Sequence, residues 1–171
     1  MKYFITNLDK QFIHAPSVIN WFKKINVDLF HKECEQEIPN DIVLKMESDP
    51  ECEQTDIISH PVFAVSELVK GVLTLYEPNT QWKEMMLYNT KDQNAYLYFI
   101  PILDDIDCVD ESSLGKKQMV INEALIRDKS IFQVQYAGKN HIIMRLDLVE
   151  SLLRRDVVGI QLTEVEVVNH A

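Results

Sequence analysis

The chain has 171 residues, of which 46% are hydrophobic and 26% charged, a composition typical of one globular domain with a sizeable core. Its 27 acidic and 17 basic residues give a net charge of −10, which disfavours binding to nucleic acid and to anionic membranes and favours basic protein partners. Solubility alone explains the same net charge equally well. Because there is neither a signal-peptide pattern nor an apolar run approaching the ~20 residues of a membrane span, we expect a single cytoplasmic domain over residues 1–171.

Residues 1–59 are predicted to form an N-terminal strand, a helix and an acidic loop region. MKYFITNL is rich in the aromatic and β-branched residues that strands favour. A helix is predicted over APSVINWFKKINVDLF, where Pro16 and Ser17 suit a helix start. The acidic stretch up to Pro61 contains three prolines and one short strand pattern, DIVLKM. Apolar residues recur at helical spacing in the predicted helix, namely Val18, Ile19, Trp21, Phe22 and Ile25.

Residues 60–171 are predicted to contain a strand–helix–strand unit twice, at an offset of 80 residues. In the first unit VFAV is a strand, Ser66 caps the helix through its side-chain oxygen, and QWKEMML is the second strand. In the second unit HIIM is the strand, Asp147 takes the capping role, and IQLTEVEVV alternates as a strand. Each helix is expected to bury four apolar residues on one face. They are Leu68, Val69, Val72 and Leu73 in the first helix and Leu148, Val149, Leu152 and Leu153 in the second.

Two further strand patterns lie between the units. Residues 96–103 form an uninterrupted apolar run, which predicts a strand buried on both faces with Pro101 at a bulge or an edge. AGKN predicts a hairpin turn, in which Gly138 and Asn140 tolerate a positive φ. The predicted fold is therefore α+β, with a mixed, mostly antiparallel sheet, few helices and two similar strand–helix–strand units.

The acidic segment DDIDCVDESS is the main candidate for a functional site. It follows the buried strand and lacks the central Gly and closing Glu of an EF-hand loop. A loop that faces solvent or a partner is therefore favoured over a metal site. Its five carboxylates, the candidate partner-binding residues, belong to Asp104, Asp105, Asp107, Asp110 and Glu111.

The cysteines and histidines form no recognisable catalytic or metal-binding pattern. Cys34, Cys52 and Cys108 are odd in number and widely spaced, which favours reduced thiols. A zinc set of His31, Cys34, Cys52 and His60 would lack the paired short spacings of such sites. Neighbouring glutamates are expected to raise the thiol pKa values of Cys34 and Cys52, which disfavours a nucleophile. No metal, no cofactor and no catalytic residue is predicted.

Three stretches of the chain follow one another in a recognisable pattern. HPVFAVSELVKGVL has a Ser-capped helix, AYLYFIPILDDIDCVDESS has an apolar strand that runs into Asp-x-x-Asp before a Ser, and a strand–helix–strand unit closes the chain. This succession, over about residues 60–168, resembles a bacterial immunity-protein family formerly catalogued as a domain of unknown function. It departs from the family pattern at the second cap, where Leu146 and Asp147 replace a Ser. The matching residues are Ser66, Val69, Leu73, Asp107, Cys108, Asp110, Ser113, Phe132, Val134, Ile142, Ile143, Leu148, Leu152, Gly159 and Ile160.

The resemblance implies a non-catalytic cytoplasmic protein that binds and neutralises the cognate toxin of a polymorphic or contact-dependent system. Such toxins are commonly nucleases with basic surfaces, which an acidic inhibitor attracts and can cover. The candidate contact surfaces are residues 104–111 and the acidic region around Glu33, Glu35, Glu47 and Glu51.

Two other functions stay open. A small metal- or ligand-binding enzyme would need a pocket in which Asp104, Asp107 and Asp110 converge and at least one carboxylate is strongly perturbed. A structural or regulatory module, dimeric through an exposed sheet edge, would show an apolar patch of several hundred Å². Immunity binding instead predicts acidic residues spread over an exposed surface, with no deep polar cleft between the repeats.

Overall fold

A computed structural model of the chain describes residues 1–91, 93–113 and 118–169. In these residues eleven strands form two mixed, mostly antiparallel sheets, and two α-helices pack together in a core shared by both sheets. The fold is α+β, as predicted. The elements are β1 (Tyr3–Leu8), β2 (Val18–Ile19), β3 (Asp41–Met46), β4 (Ile57–Ile58), β5 (Ala64–Val65), α1 (Glu67–Tyr76), β6 (Gln81–Tyr88), β7 (Ala95–Ile102), β8 (Val120–Asn122), β9 (Ile131–Tyr136), β10 (Lys139–Arg145), α2 (Leu146–Leu153) and β11 (Ile160–Val168).

The two sheets have the same plan of strand pairing. The five-stranded sheet has the order β8-β11-β1-β10-β9 and the six-stranded sheet the order β2-β3-β6-β7-β5-β4. In each, one parallel pair (β8 with β11, β3 with β6) is followed by three antiparallel pairs. The predicted units β5-α1-β6 and β10-α2-β11 occupy matching places. In each unit the helix connects two strands that run parallel to each other, with one antiparallel strand between them. The likeness therefore extends to five strands and one helix in each half of the molecule.

The central strand of each sheet comes from a different part of the chain. In the first half, β3 to β7, the central strand β7 follows β6 directly. In the second half, β8 to β11, the central strand is the N-terminal β1, which pairs with β11 over Tyr3–Leu8 and with β10 over residues 3–6. The segments 1–59 and 60–171 consequently contribute to both sheets.

The prediction of a helix over APSVINWFKKINVDLF is wrong. This segment contains β2 and two short 3-10 turns, Trp21–Lys23 and Val27–Leu29. Asn20 has a positive φ of 55°, which no helix accommodates, and its side chain caps nothing. Val18 and Ile25 are buried individually against the six-stranded sheet instead of sharing one helix face. Tertiary packing overrides the local helical spacing here.

The start of α1 follows the prediction, whereas the start of α2 does not. Ser66 Oγ accepts a hydrogen bond from the Val69 N–H at 3.4 Å. Helix α2 begins one residue earlier than the offset predicts, with Arg145 at the N-cap position and no side-chain cap. Asp147 lies in the first turn instead, where it accepts the Leu148 N–H and pairs with the Arg145 guanidinium at 2.8 Å.

Each helix buries three of its four predicted apolar residues. Residues at i, i+1, i+4 and i+5 span about 140° of a helix, because successive residues turn by about 100°. A face that wide exceeds what one packing surface covers, so the residue at one extreme is left exposed. The exposed residues are Leu68 in α1 and Leu153 in α2, and the buried ones are Val69, Val72, Leu73, Leu148, Val149 and Leu152.

The strand predicted over residues 96–103 is β7, whose second half is buried on both faces. Pro101 pairs in register with Trp82 of β6 without a bulge. On its other side β7 pairs with β5 only at Phe99, so Pro101 lies at a locally open edge. The edge position is therefore the correct one of the two predicted alternatives.

The predicted hairpin joins β9 to β10, and its turn uses Gly138 as predicted but Ala137 in place of Asn140. Ala137 and Gly138 form a two-residue turn with φ values of 50° and 74°. Asn140 lies in β10, where it pairs with Gln135. Positive φ at both central residues defines a type I′ turn, in which Ala is an unfavourable first residue.

Candidate partner-binding surface

The acidic segment leaves β7 and runs along β9, the edge strand of the five-stranded sheet. The Gln133 N–H donates to the Asp104 carbonyl and the Ile106 N–H donates to the Gln133 carbonyl, both at 2.9 Å. Ile106 and the fully buried Cys108 pack into the core below. Side chains alternate in this extended backbone, so Asp105 and Asp107 face solvent.

Asp104 is engaged in ion pairs within the protein. Its carboxylate lies 2.9 Å from Lys32 Nζ and 2.6 Å from Lys129 Nζ, and Lys129 also lies 3.3 Å from Glu77. Burial raises the pKa of Asp104, but hydrogen bonds from Lys129 and Lys32 outweigh it and hold the pKa below its usual value. Of the predicted site residues, Asp104 therefore offers little free charge to a partner.

Asp105 lies in the opposite electrostatic environment. Burial raises its pKa, the charges of Glu33 and Asp104 raise it further, and His31 lowers it. The His31 Nδ1 atom is 4.0 Å from the Asp105 carboxylate. The free protein thus disfavours the charged form of Asp105, and a cationic group from a partner would favour it again.

The remaining predicted residues spread along the surface. Asp107 is exposed and, with Asp104 and Asp105, borders a shallow hollow that also contains Leu125. The Asp110 carboxylate accepts the Ser112 N–H at 2.9 Å, and Glu111 is exposed in the following 3-10 turn. Within residues 1–91, 93–113 and 118–169, no three His, Cys, Asp or Glu side chains are close enough to hold a metal ion. Asp104 and Asp107 border the same hollow, whereas Asp110, the third residue named by the enzyme hypothesis, is not among the residues that line it.

The structure brings part of the N-terminal acidic region beside this segment. The 3-10 turn Lys32–Glu37 is held there by the ion pair of Lys32 with Asp104. Glu33 is close enough to raise the pKa of Asp105, and Glu35 lines a second hollow beside Asp104. We call Glu33, Glu35, Asp105 and Asp107 the acidic face.

The other two residues of the predicted N-terminal surface belong to a separate cluster around His14. The His14 Nδ1 atom lies 2.7 Å from Asp49, and its Nε2 atom lies 3.2 Å from Glu51. Glu47 follows β3 nearby, where its N–H donates to the Ser17 carbonyl. The predicted acidic region therefore divides into two places on the surface.

The three cysteines have free thiols. Burial first, and nearby carboxylates second, raise the pKa values of Cys34 and Cys52, and burial raises the pKa of Cys108 to about 11. The expected direction is confirmed, although burial exceeds the glutamates as its cause. Cys34 and Cys52 do not assemble with His31 and His60 into a metal-binding group among the described residues.

A cleft of about 440 Å³ with polar lining residues lies between the two sheets, where the immunity hypothesis predicts no deep polar cleft. It is lined by Val27, Asp28 and Phe30, by residues 59–63, and by Thr6 and Gln133 among others. The Thr6 hydroxyl is buried without a hydrogen-bond partner, and the Gln133 amide donates to the Phe30 carbonyl at 2.9 Å. The Thr6 hydroxyl and the Gln133 amide can form hydrogen bonds with a ligand, but neither group gains or loses a proton at neutral pH. The strand pattern IFQVQY indicated a strand but not that Gln133 would be buried.

No protein-family model and no curated protein matches this chain. Among the helices of the described residues, none combines the length and the apolar character needed to cross a bilayer. The resemblance to immunity proteins stays a prediction, and the functional argument rests on the geometry of the surface.

Proposed function

We propose that this chain is a non-catalytic immunity protein that binds and neutralises a cognate bacterial toxin through the acidic face. One observation carries the proposal: two acidic segments far apart in sequence lie side by side. Glu33 and Glu35 come from the N-terminal region, and Asp105 and Asp107 follow β7. Solubility requires acidic residues but not their clustering, because dispersed charges serve it equally well.

The electrostatics of the acidic face favour a basic partner. Burial first, and the charges of Glu33 and Asp104 after it, raise the pKa of Asp105 in the free protein, so burial of the ionised carboxylate and repulsion from these two neighbours oppose folding slightly. A basic surface would remove that repulsion on binding. Complementary charge also accelerates encounter and rejects acidic competitors. A nuclease, whose surface must attract phosphates, is a partner of this kind.

The acidic face is held on a rigid support. Backbone hydrogen bonds to Gln133 and burial of Cys108 fix the segment, and the Lys32–Asp104 ion pair fixes the neighbouring turn. Less conformational entropy is lost on binding when the contact residues are already ordered. The exposed Leu125 adds an apolar contact beside Asp105 and Asp107. An apolar centre with a polar rim is the usual anatomy of a binding surface.

The test is co-purification of the tagged protein with the product of the gene immediately upstream, at low and high salt. We expect a one-to-one complex that salt weakens. The double variant Asp105→Asn with Asp107→Asn is expected to weaken binding at least about tenfold, since charge pairs in interfaces are worth several kcal/mol.

A matched control removes the same two charges elsewhere. Glu47 and Glu53 are both exposed and lie outside the acidic face. The variant Glu47→Gln with Glu53→Gln should leave the Kd within a factor of about two, because distant charges are screened. Equal losses in both variants would mean that net charge, and not the acidic face, drives binding. Absence of any complex would reject the proposal.

A further inference from the structure

One face of the six-stranded sheet is only partly covered. Helix α1 packs on its Phe99 end, where Lys70 Nζ lies 3.6 Å from the centre of the Phe99 ring. Beyond the helix, Val43, Met86 and Leu97 are direct cross-strand neighbours on β3, β6 and β7. Their exposed fractions are 54%, 43% and 46%. This exposed row continues the face that α1 covers, because side chains alternate along each strand.

At two of the three corresponding positions the five-stranded sheet carries a charged residue; the third, paired with Glu166 on β8, is the buried Val120. The offset of 80 residues matches Met86 of β6 with Glu166 of β11. The antiparallel register of β11 with β1 then places Lys2 where the first half has Leu97. Lys2 forms an ion pair with Glu164 at 2.8 Å. The strand plan therefore tolerates charges at the positions of Met86 and Leu97, where the first half carries large apolar residues without a need imposed by the fold.

The exposed row lies between residues of opposite character. Outward on β3, Asp41 precedes Val43 and Lys45 follows it. The register with β6 places Glu84 beside Asp41 and Tyr88 beside Lys45. One flank of the row is acidic, and the other carries an ammonium and a phenol.

We propose that a second copy of this chain packs on this face, as a two-fold dimer of stacked sheets. Stacked sheets lie about 10 Å apart. A two-fold axis between them, along the exposed row, places Val43, Met86 and Leu97 against the same residues of the second copy. It also places Asp41 opposite Lys45 of the second copy, and Lys45 opposite Asp41.

The order of charges favours a second copy over other occupants. A two-fold interface brings one patch against itself, so the patch must be complementary to its own rotated image. The sequence of acid, apolar residue and base along β3 meets this requirement. An anionic membrane would be repelled by Asp41 and Glu84, which are neighbours on one flank. Apolar side chains exposed in a row on adjacent strands are typical of an interaction surface.

Sedimentation equilibrium of the full chain tests the dimer. We expect a reversible dimer for the unaltered chain. Met86→Glu with Leu97→Lys introduces the residue types that the second half carries, and should weaken the dimer at least about 100-fold, because buried apolar contacts dominate interface energy. Leu75→Lys is the matched control, since Leu75 is exposed on α1 away from the row. It should leave the dimer Kd unchanged, and circular dichroism should show all variants folded.

A charge exchange tests the orientation. Asp41→Lys alone or Lys45→Asp alone should weaken the dimer about tenfold, because each places like charges opposite one another twice. The double exchange Asp41→Lys with Lys45→Asp should restore it. A monomer at every concentration, a dimer insensitive to Met86→Glu with Leu97→Lys, or a double exchange that fails to restore association would overturn the proposal. Vesicle binding through this face by a monomeric chain would do so too.

None of these substitutions alters the acidic face. Failure of toxin binding and failure of dimerisation are therefore separate results, and one does not imply the other.

Discussion

The two halves of the molecule share a plan of strand pairing but reach it by different local means. The first half takes its central strand from the next stretch of chain, and the second takes it from the N-terminus. Ser66 caps α1 by its side chain, whereas α2 starts at an Arg145–Asp147 ion pair. Where the first half exposes Met86 and Leu97, the second half carries Glu166 and Lys2. The comparison teaches that the burial pattern of strands and helix defines each half, while caps, turns and exposed faces vary freely.

Asp56 and Glu77 are two of the side chains that join the halves. Asp56, beside β4, accepts the Ser66 hydroxyl at 2.6 Å and the Val158 N–H at 2.8 Å. Glu77, at the end of α1, accepts the Ser130 N–H at 2.7 Å and pairs with Lys129. Substitutions can therefore separate contacts within a half from contacts between halves.

The largest effect is expected where α2 returns to β11. Gly159 has a φ of 83°, and an added Cβ would lie 2.8 Å from Thr55 Cβ and 3.3 Å from Leu8 Cδ1. The matching return from α1 to β6, residues 77–80, contains no glycine. Gly159→Ala should lower the free energy of unfolding in urea by about 3 kcal/mol, through strain and overlap.

Gly71 is the matched control for this substitution. It lies in α1 with open space around the added Cβ. Gly71→Ala should raise stability by up to about 1 kcal/mol, because Ala favours a helix. Similar losses in both variants would contradict the structural difference between the two returns.

The next effect concerns the junction of the halves. Asp56→Ala removes the acceptor of two hydrogen bonds, one of them from the N-cap residue of α1. The expected loss in the free energy of unfolding is about 2 kcal/mol, because charged acceptors are worth more than neutral ones. Asp9→Ala, which loses one local bond from the exposed Gln11 N–H, should cost about 0.5 kcal/mol or less. Equal costs would mean that Asp56 does not join the halves.

The third effect depends on pH. Lysine contacts lower the pKa of Asp104 in the folded protein, so its stabilisation is present above the unfolded pKa and is lost as pH falls through the folded value. Asp104→Asn should cost about 1 kcal/mol at neutral pH, a modest figure because the pair is partly exposed. Urea titrations should show the difference disappear in strong acid. A difference that persists there would show that shape, and not charge, matters.

The smallest effect is a gain. The hairpin of the second half places Ala137 at a φ of 50°. Asn tolerates this conformation better, so Ala137→Asn should raise stability by about 0.5 kcal/mol. Gly138→Ala, at a φ of 74°, should lower it by about 1 kcal/mol. Thermal unfolding measures both, and a loss from Ala137→Asn would contradict a type I′ turn.

Sequence periodicity located the elements whose burial is set by neighbours along the chain. The N-terminal strand follows from its composition and β7 from its uninterrupted apolar run, whereas both helices follow from the helical period, which decides which side chains share a face. The helical spacing around Asn20 gave a wrong prediction. There Val18 and Ile25 are buried separately against the six-stranded sheet while Phe22 is exposed, and no local period describes that packing.

The acidic residues of the candidate site could be predicted from the sequence, but their ion pairs and neighbours could not. Its acidic residues are visible in DDIDCVDESS, yet Lys32 and Lys129, which neutralise Asp104, lie about 70 and 25 residues away in sequence. Pairing of the segment with β9 and docking of the Lys32–Glu37 turn create those contacts. Ion pairs between distant residues have no local signature.

The sequence by itself therefore determined the fold class, the repeated strand–helix–strand unit and the acidic character of the segment after β7. Only the tertiary structure decided that β1 completes the second half, that Asp104 is engaged internally while Asp105 is exposed beside Glu33, and that Met86 lies in an uncovered apolar row. The physical reason is the separation in sequence between the residues that interact. Periodicity reports which face of an element avoids water, whereas strand order and ion pairing depend on which distant elements meet.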